Sequence, residues 1–353
     1  MFARTEIPFY QKLSFNLISV LLICIALIYG HAIILPVLFS ILLANILLPF
    51  VSFLKKRRFN KSLSILVPLI LSFIVGAAIL YFLSSQIVHF INDIPALKTR
   101  IDEVTHSFQV WFRQNTTMTI REQNQYFKET VHDLKDNAPE LVGFTFVSVT
   151  GLLTYVVLLP LYTFLMLFYR STIKEFLITV FKSESEEQVA VILIESTYVA
   201  QRYLTGLLIE TTLVFVLNMV GFLILGIKYA VFLALLAALL NLIPYVGMLA
   251  ANIICMLITL ISSSEISNVF WVGVILGVVQ LLDNNFGMPL IVGNKVRINA
   301  LVTIIGVIAA GALCGIPGMF LAIPGLAVLK VIFDNVPALN PWGLLLGEKK
   351  VNE

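Results

Sequence analysis

Charged residues are scarce in this 353-residue chain. Asp, Glu, Lys and Arg make up 12% of it, about half the share of a typical soluble protein, whereas apolar residues make up 59%. The formal net charge of +3 is small and favours neither a nucleic-acid partner nor an acidic one. The composition predicts a polytopic membrane protein whose main partner is the lipid bilayer.

Signatures of catalysis and of metal or cofactor binding are also missing. The sequence contains no G-x-x-x-x-G-K-[ST] phosphate loop, no H-E-x-x-H and no G-x-S-x-G. The three cysteines lie inside apolar runs, and the four histidines lack metal-ligand spacing. We therefore expect no enzymatic activity, no catalytic residues, no cofactor and no metal site.

Apolar windows without charged residues define the predicted spans. The window between Lys12 and Lys55 is long enough for two helices with a turn at Gly30-His31. The whole pattern predicts an all-α polytopic membrane protein with about six full transmembrane helices and two broken re-entrant hairpins, or eight or more spans by hydropathy. The predicted regions are transmembrane helices 1–3 in 1–88, an external amphipathic helical segment in 89–140, helix 4 in 141–169, a cytoplasmic helical linker in 170–202, a transport core with two broken hairpins in 203–336 and a cytoplasmic tail in 337–353.

Basic residues predict the orientation. The loop Lys55-Lys-Arg-Arg58-Phe-Asn-Lys61 carries five of them and should be cytoplasmic, which places both termini in the cytoplasm if six spans are present. The first hairpin then enters from outside and the second from inside, next to Lys295 and Arg297.

Two apolar stretches are interrupted by Gly and Pro. Ala230–Ile261 is broken at Asn241–Gly247, and Asn299–Phe333 is broken at Gly311–Gly318. Each half has about 11 to 15 residues and reaches roughly 17–23 Å, short of the ~30 Å hydrocarbon core. Broken segments of this kind indicate a transport site, because unpaired backbone survives at membrane depth only beside protein or a water-filled cavity. The residues predicted to shape or gate these breaks are Pro244, Gly247, Gly311, Gly315 and Gly318.

Asp283 is one of two carboxylates inside predicted spans. Gln280, Asn284 and Gly287 share its helix face at spacings of three and four. Exposure of the charge to lipid would cost about 2–4 kcal/mol, so this face should contact protein or water. A substrate- or ion-binding face is favoured over purely structural hydrogen bonding between helices.

Glu210 is the second carboxylate, on a face shared with Tyr203 and Gly206. It is predicted either to bind an ion or titrate a proton during transport, or to reach the membrane interface. At the first break, Pro244 frees backbone carbonyls near Asn241 and Tyr245, and both side chains are candidate site residues. Tyr245 as an interfacial anchor is the alternative.

Several motifs occur together in a fixed order. They are Tyr203-Leu-Thr-Gly206, Gly226-Ile-Lys-Tyr229-Ala230, Asn241-Leu-Ile-Pro244-Tyr245-Val-Gly247, Gln280-Leu-Leu-Asp283-Asn284 with Pro289 and Gly293, and Gly311-x-x-x-Gly315-x-x-Gly318 with Ala322-Ile-Pro324. In this the chain resembles the autoinducer-2 exporter family of bacterial permeases, in which Gly206, Pro289 and Pro324 would also shape the core. It departs at Met248, where relatives often carry Pro, and at Asn299-Ala300, where His-Pro is common.

The resemblance implies transport without ATP hydrolysis, as a homo-oligomer in the bacterial cytoplasmic (inner) membrane. The first hypothesis is a secondary transporter or facilitator of a small polar solute bound by Gln280, Asp283 and Asn284. The second is a sodium (or lithium)/proton antiporter of the same fold that uses Asp283 and Glu210. The third is a non-transporting membrane scaffold that binds a partner through residues 93–139.

Overall fold

Helices account for nearly all of the described structure. The computed structural model describes residues 9–115, 149–181, 186–244, 246–263, 265–287 and 298–347. Its helices are α1 Phe9–Lys56, α2 Lys61–Asn115, α3 Val149–Phe168, α4 Arg170–Val180, α5 Glu186–Ile224, α6 Ala230–Leu240, α7 Val246–Ser262, α8 Ser267–Leu282 with a π-helical turn Asp283–Gly287, α9 Ala300–Asn335 and α10 Asn340–Leu346, the last preceded by the 3-10 turn Pro337–Leu339. The prediction of an all-α membrane protein is confirmed.

Five of these helices are long and apolar enough to cross a membrane, within the ranges that the structure describes. They are α1, α2, α5, α8 with its π-helical turn, and α9. A sixth candidate consists of α3 and α4, whose axes differ by 70° at Tyr169. Since α4 has no buried residue, α3 is the apolar part of that pair and α4 lies across its end.

The predicted turn at Gly30-His31 is wrong. Helix α1 continues through both residues for 48 residues, about 72 Å. One glycine costs a helix only about 1 kcal/mol relative to alanine, and the flanking residues are apolar helix formers, so the backbone need not break. Residues 9–88, the described part of this region, therefore contain two helices instead of three. The prediction that the N-terminus is cytoplasmic depended on that turn, because it counted two spans before the basic loop.

The predicted boundaries at residues 88 and 202 do not coincide with helix ends, and α5 passes through the second of them from Glu186 to Ile224. Helix α2 passes without a break through the predicted boundary at residue 88 and ends at Asn115. Residues 116–148, which include the second half of the predicted external segment, lie outside the described ranges. The described part of the predicted tail, residues 337–347, is folded, because α10 packs against α9 and Asn299 donates a backbone hydrogen bond to Leu346 at 2.8 Å.

Helices α6 and α7 form the first predicted hairpin. They contain 11 and 17 residues, about 16 and 25 Å, and neither is long enough to span a membrane by itself. The backbone of Gly247, near the tip, lies against the Leu240 carbonyl so closely that a Cβ would overlap it. The interruption predicted at Asn241–Gly247 therefore separates two antiparallel arms that touch each other.

Helix α9 is a second hairpin, although its length would also suit a span. Gly315 breaks it with φ 66° and ψ −155°. Around this break, a Cβ on Gly311 would lie 2.5 Å from Met319 Cε, and one on Gly306 would lie 2.7 Å from Leu326 Cδ1. Residues 20 apart cannot touch in a straight helix, where they are about 30 Å apart. The chain thus reverses at Gly315.

Helix α5 connects the two hairpins. Its C-terminal half packs with α6, α7 and α8 in one apolar cluster that includes Phe222, Leu233, Cys255 and Val272. Its middle packs with both arms of α9 in another cluster through Tyr203, Leu204 and Leu207. A third cluster joins α1, α2 and α3. The side chains that both hairpins can reach are therefore those in the middle of α5.

Gly315 should be required for the second hairpin, because its backbone lies in a region that only glycine enters readily. We expect Gly315→Ala to lower the free energy of unfolding by about 1–3 kcal/mol. Gly325→Ala is the matched control in the same hairpin, since no atom lies within 4 Å of its added Cβ. Thermal unfolding of both variants in detergent tests this, and equal midpoints would contradict the hairpin tip at Gly315.

Candidate functional site

Three elements bring polar side chains to one buried point. Glu210 comes from the middle of α5, Asp283 from the end of α8, and Asn241 from the end of α6 at the hairpin tip. Glu210 lies 14 residues before the end of α5, about 21 Å, and Asp283 lies 16 residues after the start of α8, about 24 Å. Glu210 therefore lies near the middle of its helix, whereas Asp283 lies four residues before the end of the described segment Ser267–Gly287.

The Glu210 and Asp283 carboxyl groups touch each other. They are within hydrogen-bonding contact, and each residue is only 5% exposed. Glu210 Oε2 and Asp283 Oδ1 receive no hydrogen bond from the part of the chain that the structure describes. No cationic side chain of the described residues compensates the pair. Two buried carboxylates in contact repel each other unless a proton or a cation lies between them.

The π-helical turn Asp283–Gly287 fixes the Asp283 carboxyl group. Asp283 Oδ1 lies over the Cα of Gly287, where a Cβ would come within 2.5 Å of it. The wider turn and the missing side chain together leave space for the carboxyl group beside its own backbone. Turns of this kind recur at functional sites.

Asn241 ties the first hairpin to this pair. Its Nδ2 donates to Asp283 Oδ2 at 3.4 Å. The tip is tightly folded there, since Val246 donates its backbone N–H to the Pro244 carbonyl and Gly247 donates to that of Ile243. The predicted proline and glycine positions at this break are therefore close to the carboxyl pair, and they define where Asn241 lies.

Tyr203 extends the site toward the second hairpin. Its ring is buried, and its hydroxyl interacts electrostatically with Glu210, two turns further along α5. Val307 and Ile323, from the two arms of α9, pack in the same cluster as Tyr203. Leu242, from the tip of the first hairpin, packs against that cluster as well. The two hairpins thus meet beside the carboxyl pair.

Gln280 and Asn284 do not join this group. Gln280 Nε2 donates to Asn284 Oδ1 at 3.0 Å, and Asn284 is exposed while Asp283 is buried. Consecutive residues of a helix point about 100° apart, so Asp283 and Asn284 occupy different sides of the turn. The structure separates the amides from the carboxylate with which the sequence pattern had grouped them.

The remaining predicted positions are distributed around this core. Gly206 is buried on α5 beside Tyr203, and Gly318 and Pro324 are buried on the second arm of α9. Gly311 faces Met319 across the hairpin. Tyr245 and Pro289 lie outside the described residues.

Asn218 is a buried polar residue that the sequence analysis missed. It is 1% exposed, and its Oδ1 receives no hydrogen bond from the described residues. It lies eight residues after Glu210, with buried Val214 between them at intervals of four. Continuing the Tyr203–Glu210 face by two more helical turns would have identified it.

Oxygen and amide groups make up the site. Its donor set is two carboxyl groups, one amide and a phenol, which suits a proton or a hard cation better than a soft metal. Within the described ranges, no cluster of three or more His, Cys, Asp and Glu side chains is placed to hold a metal ion.

Comparisons with known proteins agree on one family. The model of the family described as AI-2E family transporter matches residues 17–338. YueF of Bacillus subtilis is 25% identical over 86% of this chain and 84% of its own length. MT0215 of Mycobacterium tuberculosis is 25% identical over 88% and 85%. A Haemophilus influenzae relative is 25% identical over 94% of each chain. Their names assign them to transport and state no substrate.

Gly287→Ala should displace the Asp283 carboxyl group, because the new Cβ would overlap Oδ1. We expect the free energy of unfolding to fall by about 1–3 kcal/mol, the cost of a buried polar group that loses its contacts. Gly277→Ala in the same helix meets no atom within 4 Å and should be neutral or stabilising by up to about 1 kcal/mol. Thermal unfolding midpoints in detergent give both values, and a stabilised Gly287→Ala would refute this packing.

Proposed function

Because the chain belongs to the AI-2E transporter family, we propose that this membrane transporter is a secondary one, driven without ATP, in which Glu210 and Asp283 bind the coupling ion. The ion is a proton or a small cation such as Na⁺ or Li⁺. Bacterial relatives and the long apolar helices support a place in the cytoplasmic membrane, and the family resemblance supports a homo-oligomer.

The contact between two buried carboxyl groups is the observation on which this proposal rests. Buried charge is costly, and the pair can lower that cost by holding a proton or a cation. One bound cation would replace one or two protons with little change in geometry, since the oxygen atoms are already in place. Competition of this kind is the chemical basis of cation/proton exchange.

Movement of the tip of the first hairpin would give an ion access to the carboxyl pair. Asn241 contacts Asp283 through a hydrogen bond of 3.4 Å, a long one, so this contact can break at small cost. Leu242 and the arms of α9 meet nearby and would close the other side. Alternating movement of the two hairpins against α5 and α8 would expose the pair to one side of the membrane at a time.

Movement of a small polar solute is the second candidate function. The Asn241 amide favours it, because an amide beside two carboxyl groups can bind hydroxyl groups of a solute. Gln280 and Asn284 form a hydrogen bond with each other, so they are less available to bind a solute than their spacing suggested. The scaffold hypothesis has less support, because the relatives are transport proteins by name and the polar groups converge at one buried point.

Purified protein in liposomes that contain a pH-sensitive dye tests the proposal. Addition of Na⁺, Li⁺ or K⁺ outside should drive protons outward and raise the internal pH if a cation exchanges for protons. We expect Asp283→Asn and Glu210→Gln each to reduce this flux to the level of protein-free liposomes, because each replaces a titratable oxygen by an amide.

Glu187→Gln is the matched control, since it removes one carboxylate from the exposed start of the same helix. It should retain the wild-type flux. Full flux in Glu210→Gln would exclude the carboxyl pair as the coupling site. A wild-type protein that is folded and inserted but moves no protons with any cation would refute exchange, and uptake of labelled polyhydroxylated solutes would then test the second candidate.

A further inference from the structure

A basic chamber lies where the α1–α2 connection meets the bend between α3 and α4. Its volume is about 330 Å³. The polar residues that line it are four cations and two hydroxyl groups: Lys55, Lys61, Arg170, Lys174, Ser52 and Ser171. None of the described residues that line the chamber is acidic. This surface is therefore a concentrated source of positive charge and hydrogen-bond donors.

Within the part of the chain that the structure describes, none of these four cations forms an ion pair. Among the described residues, no carboxylate oxygen lies within ion-pair distance of any of them, whereas Lys330 and Asp334 do form such a pair. Lys61 Nζ instead lies 4.1 Å from the centre of the Phe168 ring, which holds the ammonium group at the edge of the chamber. The positive charge thus remains available to an anion.

An apolar cavity continues from the basic chamber. Its volume is about 580 Å³, and Leu48, Leu167, Arg170 and Lys174 line both spaces. The rest of its lining comes from α1, α3, α4 and α5 and is mainly aliphatic. A ligand that fills both spaces needs an anionic group joined directly to a long apolar chain.

Helix α4 lies at the boundary between these two environments. It has no buried residue and turns 70° from α3, while Phe176 and Val180 are exposed. Basic residues with exposed aromatic and aliphatic side chains are typical of a helix at the membrane interface. The basic chamber is thus at the level of lipid headgroups, and the apolar cavity is at the level of their chains.

We propose that this groove binds an anionic glycerophospholipid of the surrounding bilayer. Its phosphate group lies among Lys55, Lys61, Arg170 and Lys174, and an acyl chain lies in the apolar cavity. Charge complementarity selects an anionic over a zwitterionic headgroup. The apolar cavity distinguishes a lipid from free phosphate, which has no chain to place there. The bound lipid would join α1, α2 and α4, three elements that meet at the chamber.

Native mass spectrometry of the detergent-purified protein tests the proposal, by titration with phosphatidylglycerol, phosphatidylcholine or inorganic phosphate. We expect discrete binding of phosphatidylglycerol and much weaker binding of the other two. The triple variant Lys61→Gln, Arg170→Gln, Lys174→Gln should bind phosphatidylglycerol about a hundredfold more weakly, because each removed cation contributes roughly fivefold near an anionic headgroup.

The control triple variant is Lys56→Gln, Arg57→Gln, Arg58→Gln. It removes the same charge from the adjacent α1–α2 connection, and none of its three residues lines either cavity. Wild-type affinity in this control would support the site. Equal loss in both triple variants would show diffuse attraction and overturn the proposal, as would equal binding of phosphatidylcholine or of phosphate alone. Thermal unfolding without added lipid confirms that each variant is folded.

Discussion

Contact between the buried carboxyl groups of Glu210 and Asp283 is the constraint on which the core depends. A buried ion without compensation costs several kcal/mol, so the surrounding elements must position each oxygen atom and leave room for a proton or a cation. Helix α5 supplies one carboxyl group from a continuous backbone, and the π-helical turn at Gly287 supplies space for the other. The hairpin tip supplies the Asn241 amide.

The two hairpins follow from the same requirement for satisfied polar groups at depth. Backbone that leaves a helix inside a membrane needs partners in the protein. Close packing of the arms provides them: the Gly247 backbone lies on the Leu240 carbonyl, and Gly318 lies on that of Ala310. Gly315 makes the second reversal with a backbone conformation that other residues rarely adopt. Glycine at these positions is therefore a steric necessity.

Sequence patterns located the breaks and the carboxylates because those signals are local. Asp283 and Glu210 were identified by the cost of charge in an apolar span, and both proved to be buried at the same point. The turn at Gly30-His31 was wrong because span length alone suggested it, while the local residues tolerate helix. The grouping of Gln280 and Asn284 with Asp283 assumed one broad helix face, but Asp283 and Asn284 are consecutive residues and point to different sides. Asn218 was missed because one amide in an apolar run carries little signal.

By itself, the sequence determined that the chain crosses a membrane, where its apolar segments are broken, and which ionisable residues lie within them. These properties depend on composition and on spacing along one helix. Only the tertiary structure decided that Glu210 and Asp283, 73 positions apart, touch each other and that Asn241 completes the group. It likewise brought Lys61 of α2 to Arg170 and Lys174 of α4. Such contacts depend on how helices pack, which no single helix's pattern specifies.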